Sequence, residues 1–365
     1  MKTVLLYKIT IVFLLIPILL VANNDPVAKG KHTREKVITK EFSVNADATL
    51  KVDNSYGNID IVTWEKNQIA IEVTITTNGN DLEKVEEKLE EITVSFNASP
   101  SLVSAKTIFS KNKSNSWFKW NNSNNVNMKI NYVIKMPITN HVNLSNDYGN
   151  INLDKLKGKA IINCDYGKIT TKELLADHND INFDYSNNCY FEYIKSGKIT
   201  ADYSGFTLAK AKKINIEADY TKSVVEIAEE VTYNCDYGSV LIEKANNISG
   251  DGDYLTTRIG DLYKNLNINA DYGSIKIDNI TANAKNIHIE SDYVGITIGY
   301  DASYNFSFNI DLEYASLRDY EDLEFTKKHV ESTDKYYQGY HGNDNSGNTL
   351  KISSDYGSVT LKKNK

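Results

Sequence analysis

A short motif, Asp-Tyr-Gly, recurs along most of this chain and constrains its fold more than any other feature. From Tyr148 to Tyr314 its tyrosine returns every 17 to 21 residues, with an early copy at Tyr56. A fixed period of this length is typical of solenoids, in which each repeat forms one coil and stacks on the next. We predict an aromatic ladder from Tyr148, Tyr166, Tyr185, Tyr203, Tyr220, Tyr237, Tyr254, Tyr272, Tyr293 and Tyr356.

The residues around each tyrosine predict two short strands per coil. Positions six and four before the tyrosine are mostly apolar, and so are positions three and five after it, as at Ile275 and Ile277. A period of two on both sides indicates strands with one buried face. Because a straight strand would break this pattern at the tyrosine, the chain must bend there, and we expect the following glycine to supply the backbone angle. The sequence therefore predicts an all-β fold, a parallel β-helix or β-roll solenoid of 17–21-residue, two-strand coils.

The repeat also divides the chain into regions. Residues 141–365 form the predicted solenoid, in which residues 321–348 are expected to be a long loop of the penultimate coil. Residues 37–140 form a β-rich N-terminal region, and residues 81–92 within it are predicted to be an amphipathic helix because their apolar side chains fall on one face. A small strand-plus-helix insertion thus separates the copy at Tyr56 from the next copy by 92 residues.

The first segment, residues 1–22, has the features of an export signal. Lys2 and Lys8 precede an apolar run that ends at Val21-Ala22. We interpret residues 23–36 as a polar linker, and an uncleaved membrane anchor is the alternative for the first segment. In either case the rest of the chain is expected in the periplasm, on the outer surface or in the medium, with the membrane contacted only through the uncleaved signal.

Composition excludes several classes of protein. A net charge of −7 without a basic stripe argues against a nucleic-acid partner, and 41% hydrophobic residues with only 4 prolines argue against a disordered chain. The repeat places Cys164, Cys189 and Cys235 too far apart or out of phase for a disulfide, so buried thiols are expected. The six histidines fall at unrelated places in the repeat, and neither a metal centre nor a catalytic triad is predicted from them.

An acidic residue precedes almost every repeat tyrosine. In stacked coils these residues would form a carboxylate ladder with rungs about 4.8 Å apart. The ladder aspartates are Asp147, Asp165, Asp184, Asp202, Asp219, Asp236, Asp253, Asp271, Asp292 and Asp355.

Three interpretations of the carboxylate ladder remain open. Each aspartate could accept a backbone hydrogen bond at its own turn. Ca²⁺ between the rungs could relieve the repulsion of like charges, although the glycine–aspartate nonapeptide of calcium β-rolls is absent. Two carboxylates about 5 Å apart also fit a retaining glycosidase, but a uniform ladder gives every carboxylate the same surroundings, whereas an acid and a nucleophile need different ones.

One feature stands outside the repeat. Trp117, Phe118 and Trp120 lie in a loop rich in Asn and Ser. Exposed aromatic side chains on a polar loop contact sugars or protein partners, and the alternative is a hydrophobic cap over the open end of the solenoid.

The run Asn131–Pro137 (NYVIKMP), followed by His141–Leu153 (HVNLSNDYGNINL) and Leu156–Gly158, resembles the bacterial exported putative-adhesin family of DUF4097/GIN type. The resemblance implies a β-solenoid at the bacterial surface or in the periplasm, and it supplies no catalytic residues. We therefore expect a non-enzymatic exported scaffold without a resident cofactor, which binds a surface glycan or an envelope protein. A carbohydrate-active β-helix enzyme is the alternative.

Overall fold

The computed structural model describes residues 30–110 and 126–364. The predicted signal peptide, residues 23–29 of the predicted linker, and Trp117, Phe118 and Trp120 lie outside the described residues. Within the described residues no helix has the length and apolar content needed to cross a membrane.

The described chain contains twenty-four strands and one helix. The N-terminal elements are β1 His32–Ser43, β2 Thr49–Ser55, β3 Ile59–Trp64, β4 Gln68–Gly79, α1 Leu82–Glu91, β5 Ile92–Ser99, β6 Leu102–Phe109 and β7 Asn127–Pro137. The next strands are β8 His141–Asp147, β9 Ile151–Leu153, β10 Ala160–Asp165, β11 Ile169–Leu174, β12 Asn179–Asp184, β13 Cys189–Asp202, β14 Gly205–Asp219, β15 Lys222–Asn234, β16 Ser239–Asp253, β17 Thr256–Ile280 and β18 Asn286–Tyr300. The last are β19 Phe306–Glu313, β20 Ser316–Arg318, β21 Glu324–Val330, β22 Asp334–His341, β23 Thr349–Asp355 and β24 Ser358–Lys363.

The predicted parallel solenoid is confirmed. Each strand before a repeat tyrosine pairs in parallel with the equivalent strand of the next coil, so that Ile162 lies opposite Ile181 and Ile181 opposite Ile199. Strands after the tyrosines do the same, as in the pairing of Ile151 with Ile169. These isoleucines are fully buried, and the apolar core runs along the whole stack. One coil cannot bury its own apolar face, so the stacking itself supplies the hydrophobic stabilisation.

The coil around Tyr56 belongs to the solenoid. β2 and β3 pair in parallel with β8 and β9, which places the early repeat copy directly beside the second one. The insertion between them, which carries β4 to β7, covers the outer edges of this first coil: β6 pairs with β2 and also with β5, while β7 pairs with β3 and also with β4. Covering both edges prevents the end of the solenoid from pairing with another chain.

The single helix agrees with its prediction. α1 spans Leu82–Glu91, and the side chain of Asp81 caps it by accepting a hydrogen bond from the Lys84 N–H. Val85 is buried, and its carbonyl accepts a hydrogen bond from the Thr77 hydroxyl of β4. The helix is thus attached to the antiparallel part of the N-terminal cap.

The predicted linker extends too far into the fold. β1 begins at His32 and pairs antiparallel with β4 along its whole length, from His32 opposite Gly79 to Ser43 opposite Gln68. Residues 32–36 therefore belong to a strand. Their charged side chains hid the strand signal because an exposed edge strand has little apolar alternation, and charges on an edge also protect it from aggregation.

The C-terminal coil does not follow the order of the chain. β23 and β24 insert between the coil of β18 and the coil of β19 and β20, pairing in parallel with both. The segment predicted to be a long loop, residues 321–348, instead contains β21 and β22, which form an antiparallel pair that covers β19. The loop prediction was wrong because this hairpin carries exposed charged residues in place of the repeat.

Candidate functional site: the tyrosine and carboxylate ladders

The repeat tyrosines form one continuous stack along the solenoid. Neighbouring ring centroids are 4.7–5.3 Å apart, and the ring planes differ by only 2–7°. Parallel, offset rings at this distance attract each other. The structure adds Tyr56 and Tyr314 to the predicted set. In spatial order the tyrosine ladder is Tyr56, Tyr148, Tyr166, Tyr185, Tyr203, Tyr220, Tyr237, Tyr254, Tyr272, Tyr293, Tyr356 and Tyr314.

The ladder tyrosines are half exposed and have an unusual backbone conformation. Their side chains are 41–55% exposed, and all twelve have positive φ angles, between 50° and 63°. A residue with a Cβ atom in this left-handed region is strained by about 1–2 kcal/mol. Stacking between neighbouring rings, worth about 0.5–1.5 kcal/mol per pair, offsets this cost. The left-handed turn lets the strand on each side of the tyrosine direct its apolar residues into the same core.

The glycine after the tyrosine has a different role from the predicted one. Among the described glycines only Gly342 and Gly347 have positive φ, so the bend belongs to the tyrosine. A Cβ atom on Gly149 would lie 2.0 Å from the carbonyl oxygen of Gly57, and one on Gly167 would lie 2.0 Å from that of Gly149. Glycine is required at Gly149 and Gly167 because the backbones of neighbouring coils approach too closely there for a side chain.

The predicted aspartates also form a ladder, but their hydrogen bonds join neighbouring coils. The carboxylate of Asp165 accepts a hydrogen bond from the backbone N–H of Asp184, and Asp184 does the same for Asp202. The same bond recurs in the next three coils. There the carboxylates of Asp202, Asp219 and Asp236 accept hydrogen bonds from the backbone N–H groups of Asp219, Asp236 and Asp253, in that order, at donor–acceptor distances of 2.8–3.2 Å. The interpretation that an aspartate accepts a hydrogen bond from a backbone N–H thus holds for these rungs, but the donor lies in the next coil and not at the aspartate's own turn. The carboxylate extends the ladder of backbone hydrogen bonds by one contact per coil.

The carboxylate ladder carries uncompensated negative charge. None of its aspartates forms an ion pair with a described residue. Partial burial, followed by the charges of neighbouring rungs, raises the pKa of Asp147, Asp184, Asp253 and Asp355 above the ordinary value. In Asp184 the hydrogen bond from the Asp202 N–H opposes this shift in pKa. The aspartates repel each other along the stack.

The pKa values of several phenols in the tyrosine ladder are raised as well. Burial, followed by the neighbouring phenols, raises the pKa of Tyr166, Tyr203, Tyr237, Tyr272 and Tyr356. These tyrosines are therefore neutral near pH 7. Their hydroxyl groups can both donate and accept hydrogen bonds.

Metal binding at the ladder stays a prediction. The described residues contain no group of three or more His, Cys, Asp or Glu side chains that could hold a metal ion. The ladder aspartates lie in single file, one per coil, which brings at most neighbouring rungs to a shared ion. The three cysteines are free and buried, as predicted.

The sequence pattern does not predict the cavity that lies at the Tyr56 end of the tyrosine ladder. It has a volume of about 520 Å³, and its lining includes Tyr56, Tyr148, Asn58, Asn78 and Met128. No sequence signal indicates it, because its walls come from β1, β4, β7 and the turn after β2, which only the N-terminal cap brings together. The ring of Tyr56 also makes an edge contact with the ring of Phe109, with centroids 6.0 Å apart.

Comparison with known proteins does not establish a family. No protein-family model matches the chain, and no curated protein matches it significantly. Among solved structures, similarity was found to a putative cell adhesion protein from Clostridium sporogenes, with 10% identity, 91% of this chain and 100% of the other covered, and a TM-score of 0.19. A putative adhesin from Parabacteroides merdae has 14% identity, coverage of 92% and 98%, and a TM-score of 0.31. A putative lipid binding protein from Parabacteroides distasonis has 11% identity, coverage of 89% and 96%, and a TM-score of 0.31. These TM-scores are too low to carry an argument about this chain.

Proposed function

We propose that this protein is an exported, non-enzymatic binding scaffold of adhesin type, and that the tyrosine and carboxylate ladders form its contact surface. One observation carries the proposal: twelve half-exposed tyrosines form an unbroken stack, with carboxylates beside it that have no ion-pair partner among the described residues. At about 4.8 Å per coil the stack is roughly 50 Å long. Monomeric proteins rarely expose a continuous aromatic surface of this length without a partner.

The tyrosines are well suited to binding. Tyrosine combines a large apolar ring with a polar tip and is enriched in protein interfaces. In the ladder each inner ring is stacked between two others, which reduces the side-chain freedom that is lost when a ligand binds. Because identical rungs repeat along one line, several weak contacts can also act together on one polymeric ligand.

The chemistry of the rungs favours a glycan as the partner. Each rung offers a phenol hydroxyl and most offer a carboxylate, and these groups form hydrogen bonds with sugar hydroxyls. A polysaccharide carries such hydroxyls at regular intervals along its length, and the ladder carries hydrogen-bond acceptors at regular intervals as well. An envelope protein is the other partner class, and the experiment below distinguishes it.

The uniformity of the ladder supports a binding role over catalysis. Cleavage of a polysaccharide needs two carboxylates whose surroundings hold their pKa values apart. Successive rungs from Asp165 to Asp253 instead repeat the same hydrogen bond to the next coil. No sequence or structural feature of the described residues singles out one pair as acid and nucleophile.

The test is binding of the purified protein to a panel of bacterial envelope polysaccharides. In one variant Tyr203→Asn, Tyr220→Asn and Tyr237→Asn remove three neighbouring rings, and asparagine tolerates the positive φ of these positions. We expect this variant to lose at least tenfold in affinity. The matched control carries Tyr190→Thr, Tyr193→Thr and Tyr263→Thr, which lie in strands away from the ladder, and it should bind like the parent protein.

Three results would contradict the proposal. Equal binding by the two triple variants would exclude the ladder as the contact surface. Shortening of the polysaccharide during incubation would show an enzyme. Binding to isolated envelope proteins, with no binding to any polysaccharide, would replace the glycan with a protein partner.

A further inference from the structure

The ladder is a row of chemically identical phenols in fixed contact. Each inner tyrosine has a phenol ring on both faces, and the closest pair, Tyr293 and Tyr356, has ring centroids 4.7 Å apart. All rings are about half exposed, so an oxidant in solution can reach them. Within the described residues every stacked pair of tyrosines belongs to this ladder.

Adjacent phenols can be joined by oxidation. Loss of one electron and one proton converts a phenol into a phenoxyl radical, whose unpaired electron is shared with the ring carbons next to the hydroxyl-bearing carbon. Two such radicals form a carbon–carbon bond between these ortho carbons, and each ring then moves its ortho hydrogen to oxygen and becomes a phenol again. The pair loses two electrons and two protons in total. Hydrogen peroxide, acting through a haem peroxidase, accepts them and becomes two molecules of water.

The geometry of the stack favours this coupling within one molecule. Because neighbouring rings are nearly parallel and displaced by one coil, each ortho carbon lies about 4.8 Å from the same carbon of the next ring. The exposed side chains can rotate to close this gap, whereas the backbone is held by the sheet. A permanently adjacent partner acts at a far higher effective concentration than a second protein molecule in solution.

We propose that the tyrosine ladder is a site of intramolecular dityrosine cross-linking by hydrogen peroxide and a haem peroxidase. Each cross-link joins two neighbouring coils. The cross-links at the two ends of the ladder join residues far apart in sequence: Tyr56 with Tyr148, and Tyr356 with both Tyr293 and Tyr314. A covalent bond that closes a long loop restricts the unfolded chain, so oxidation raises the temperature at which the coils separate.

The experiment treats the full protein with a catalytic amount of peroxidase and limiting hydrogen peroxide. Dityrosine fluorescence, a mass loss of about 2 Da per cross-link from the removal of two hydrogen atoms, and migration as a monomer on a denaturing gel report intramolecular coupling. Peptide mapping then identifies the joined residues. We expect the cross-links to join tyrosines that are neighbours in the spatial order of the ladder, and the melting temperature to rise by several degrees.

Two variants with the same number of substitutions separate adjacency from composition. The alternating variant carries Tyr148→Phe, Tyr185→Phe, Tyr220→Phe, Tyr254→Phe, Tyr293→Phe and Tyr314→Phe, which keeps the ring stack but leaves no two phenols adjacent. The contiguous variant carries Tyr237→Phe, Tyr254→Phe, Tyr272→Phe, Tyr293→Phe, Tyr356→Phe and Tyr314→Phe, which leaves an uninterrupted half-ladder. We expect the contiguous variant to keep roughly half of the intramolecular dityrosine and the alternating variant to lose at least nine tenths of it.

Equal yields from the two variants would overturn the proposal. So would cross-links in the parent protein that map to tyrosines outside the ladder or join separate molecules. The mapping uses the parent protein alone, so the proposal remains testable if either variant fails to fold.

Discussion

Tyr356 stacks on Tyr293 with ring centroids 4.7 Å apart, although 63 residues separate them, and its other face stacks on Tyr314 at 4.8 Å. The last repeat of the chain is therefore the second-to-last rung of the ladder. The C-terminal strands β23 and β24 lie between the coil of β18 and the coil of β19 and β20 and pair in parallel with both. The chain completes its core with its last residues.

The inserted coil should be essential for stability. Ile352 lies opposite Ile289 on one side and Ile310 on the other, and it is 2% exposed. We expect Ile352→Ala to lower the free energy of unfolding by about 2–5 kcal/mol, because it removes buried methyl groups and leaves a cavity. Urea denaturation followed by circular dichroism measures this. Lys351→Ala, at the exposed neighbouring position, is the control and should change the free energy by less than about 0.5 kcal/mol. Equal effects of the two substitutions would argue against the placement of β23 between β18 and β19.

Gly149 should be intolerant of alanine for steric reasons. Gly149→Ala places a Cβ atom 2.0 Å from the Gly57 carbonyl oxygen, and we expect it to destabilise the protein by about 1–3 kcal/mol or more. Gly295 provides the matched control, since nothing lies within 4 Å of its added Cβ. Gly295→Ala should leave the free energy of unfolding unchanged or raise it by up to about 1 kcal/mol. The same urea titrations compare them, and a harmless Gly149→Ala would contradict the close approach of the coils.

The left-handed conformation of the tyrosines predicts an order of stability at one rung. At Tyr220, with φ of 52°, phenylalanine keeps the ring stack and should be nearly neutral. Tyr220→Asn loses the stack but tolerates the positive φ, whereas Tyr220→Val loses the stack and places a β-branched residue there. We expect the valine variant to be about 1–2 kcal/mol less stable than the asparagine variant. Thermal melts rank the three proteins, and a valine variant more stable than the asparagine variant would show that the positive φ is not required.

Mild acid should stabilise the protein. The pKa values of Asp147, Asp184, Asp253 and Asp355 are raised in the folded state, so the folded protein binds these protons more tightly than the unfolded chain. Their stabilising effect is complete below the ordinary pKa of 3.8 and is lost as the pH rises through the raised values.

Other carboxylates oppose this trend at lower pH. Burial by itself would raise the pKa values of Asp154 and Asp278, but hydrogen bonds and charges from basic partners together lower them. The pKa of Asp177 is lowered by its hydrogen bond from Lys195, against a smaller opposing effect of burial. The contribution of these three carboxylates is present above the ordinary pKa and is lost as the pH falls through the lowered values. We therefore expect the melting temperature to rise as the pH falls from 7 towards the ordinary aspartate pKa of 3.8 and to fall again at lower pH.

A variant in which two ladder aspartates are replaced by uncharged residues provides the control for this pH dependence. Asp184→Asn with Asp253→Asn removes two ladder charges, and the amide oxygen that replaces the Asp184 carboxylate can still accept the hydrogen bond from the Asp202 N–H. The double variant should melt higher than the parent at pH 7 and gain less on acidification. Unchanged pH dependence in the double variant would show that the ladder charges do not govern it.

Calcium should act on the ladder mainly by screening. The described residues contain no group of three metal-binding side chains, and rungs in single file offer few ligands to one ion. We expect millimolar Ca²⁺ to raise the melting temperature of EDTA-treated protein no more than Mg²⁺ at the same concentration. A larger rise with Ca²⁺ alone would identify a bound ion, because a ligand of the folded state adds about 2.7 kcal/mol at a hundred times its dissociation constant.

Much of the solenoid could be read from local patterns in the sequence. The alternation around Ile162, Ile181 and Ile199 predicted buried strands, and the spacing of the tyrosines predicted that equivalent residues lie beside each other. The helix at Leu82–Glu91 was predicted because amphipathic periodicity is also a local property. β1 and the hairpin of β21 and β22 were missed, since exposed, charged strands have no such periodicity.

The sequence by itself determined the coil, its length and the two ladders, because these follow from a repeat that each segment carries within itself. Only the tertiary structure decided the place of Tyr356 between Tyr293 and Tyr314, the positive φ of the tyrosines and the hydrogen bonds that five ladder aspartates accept from the next coil. The physical reason is that every coil presents nearly the same apolar pattern to its neighbours. The repeat therefore specifies that coils stack, while the order of stacking depends on which strand edges the rest of the chain leaves uncovered.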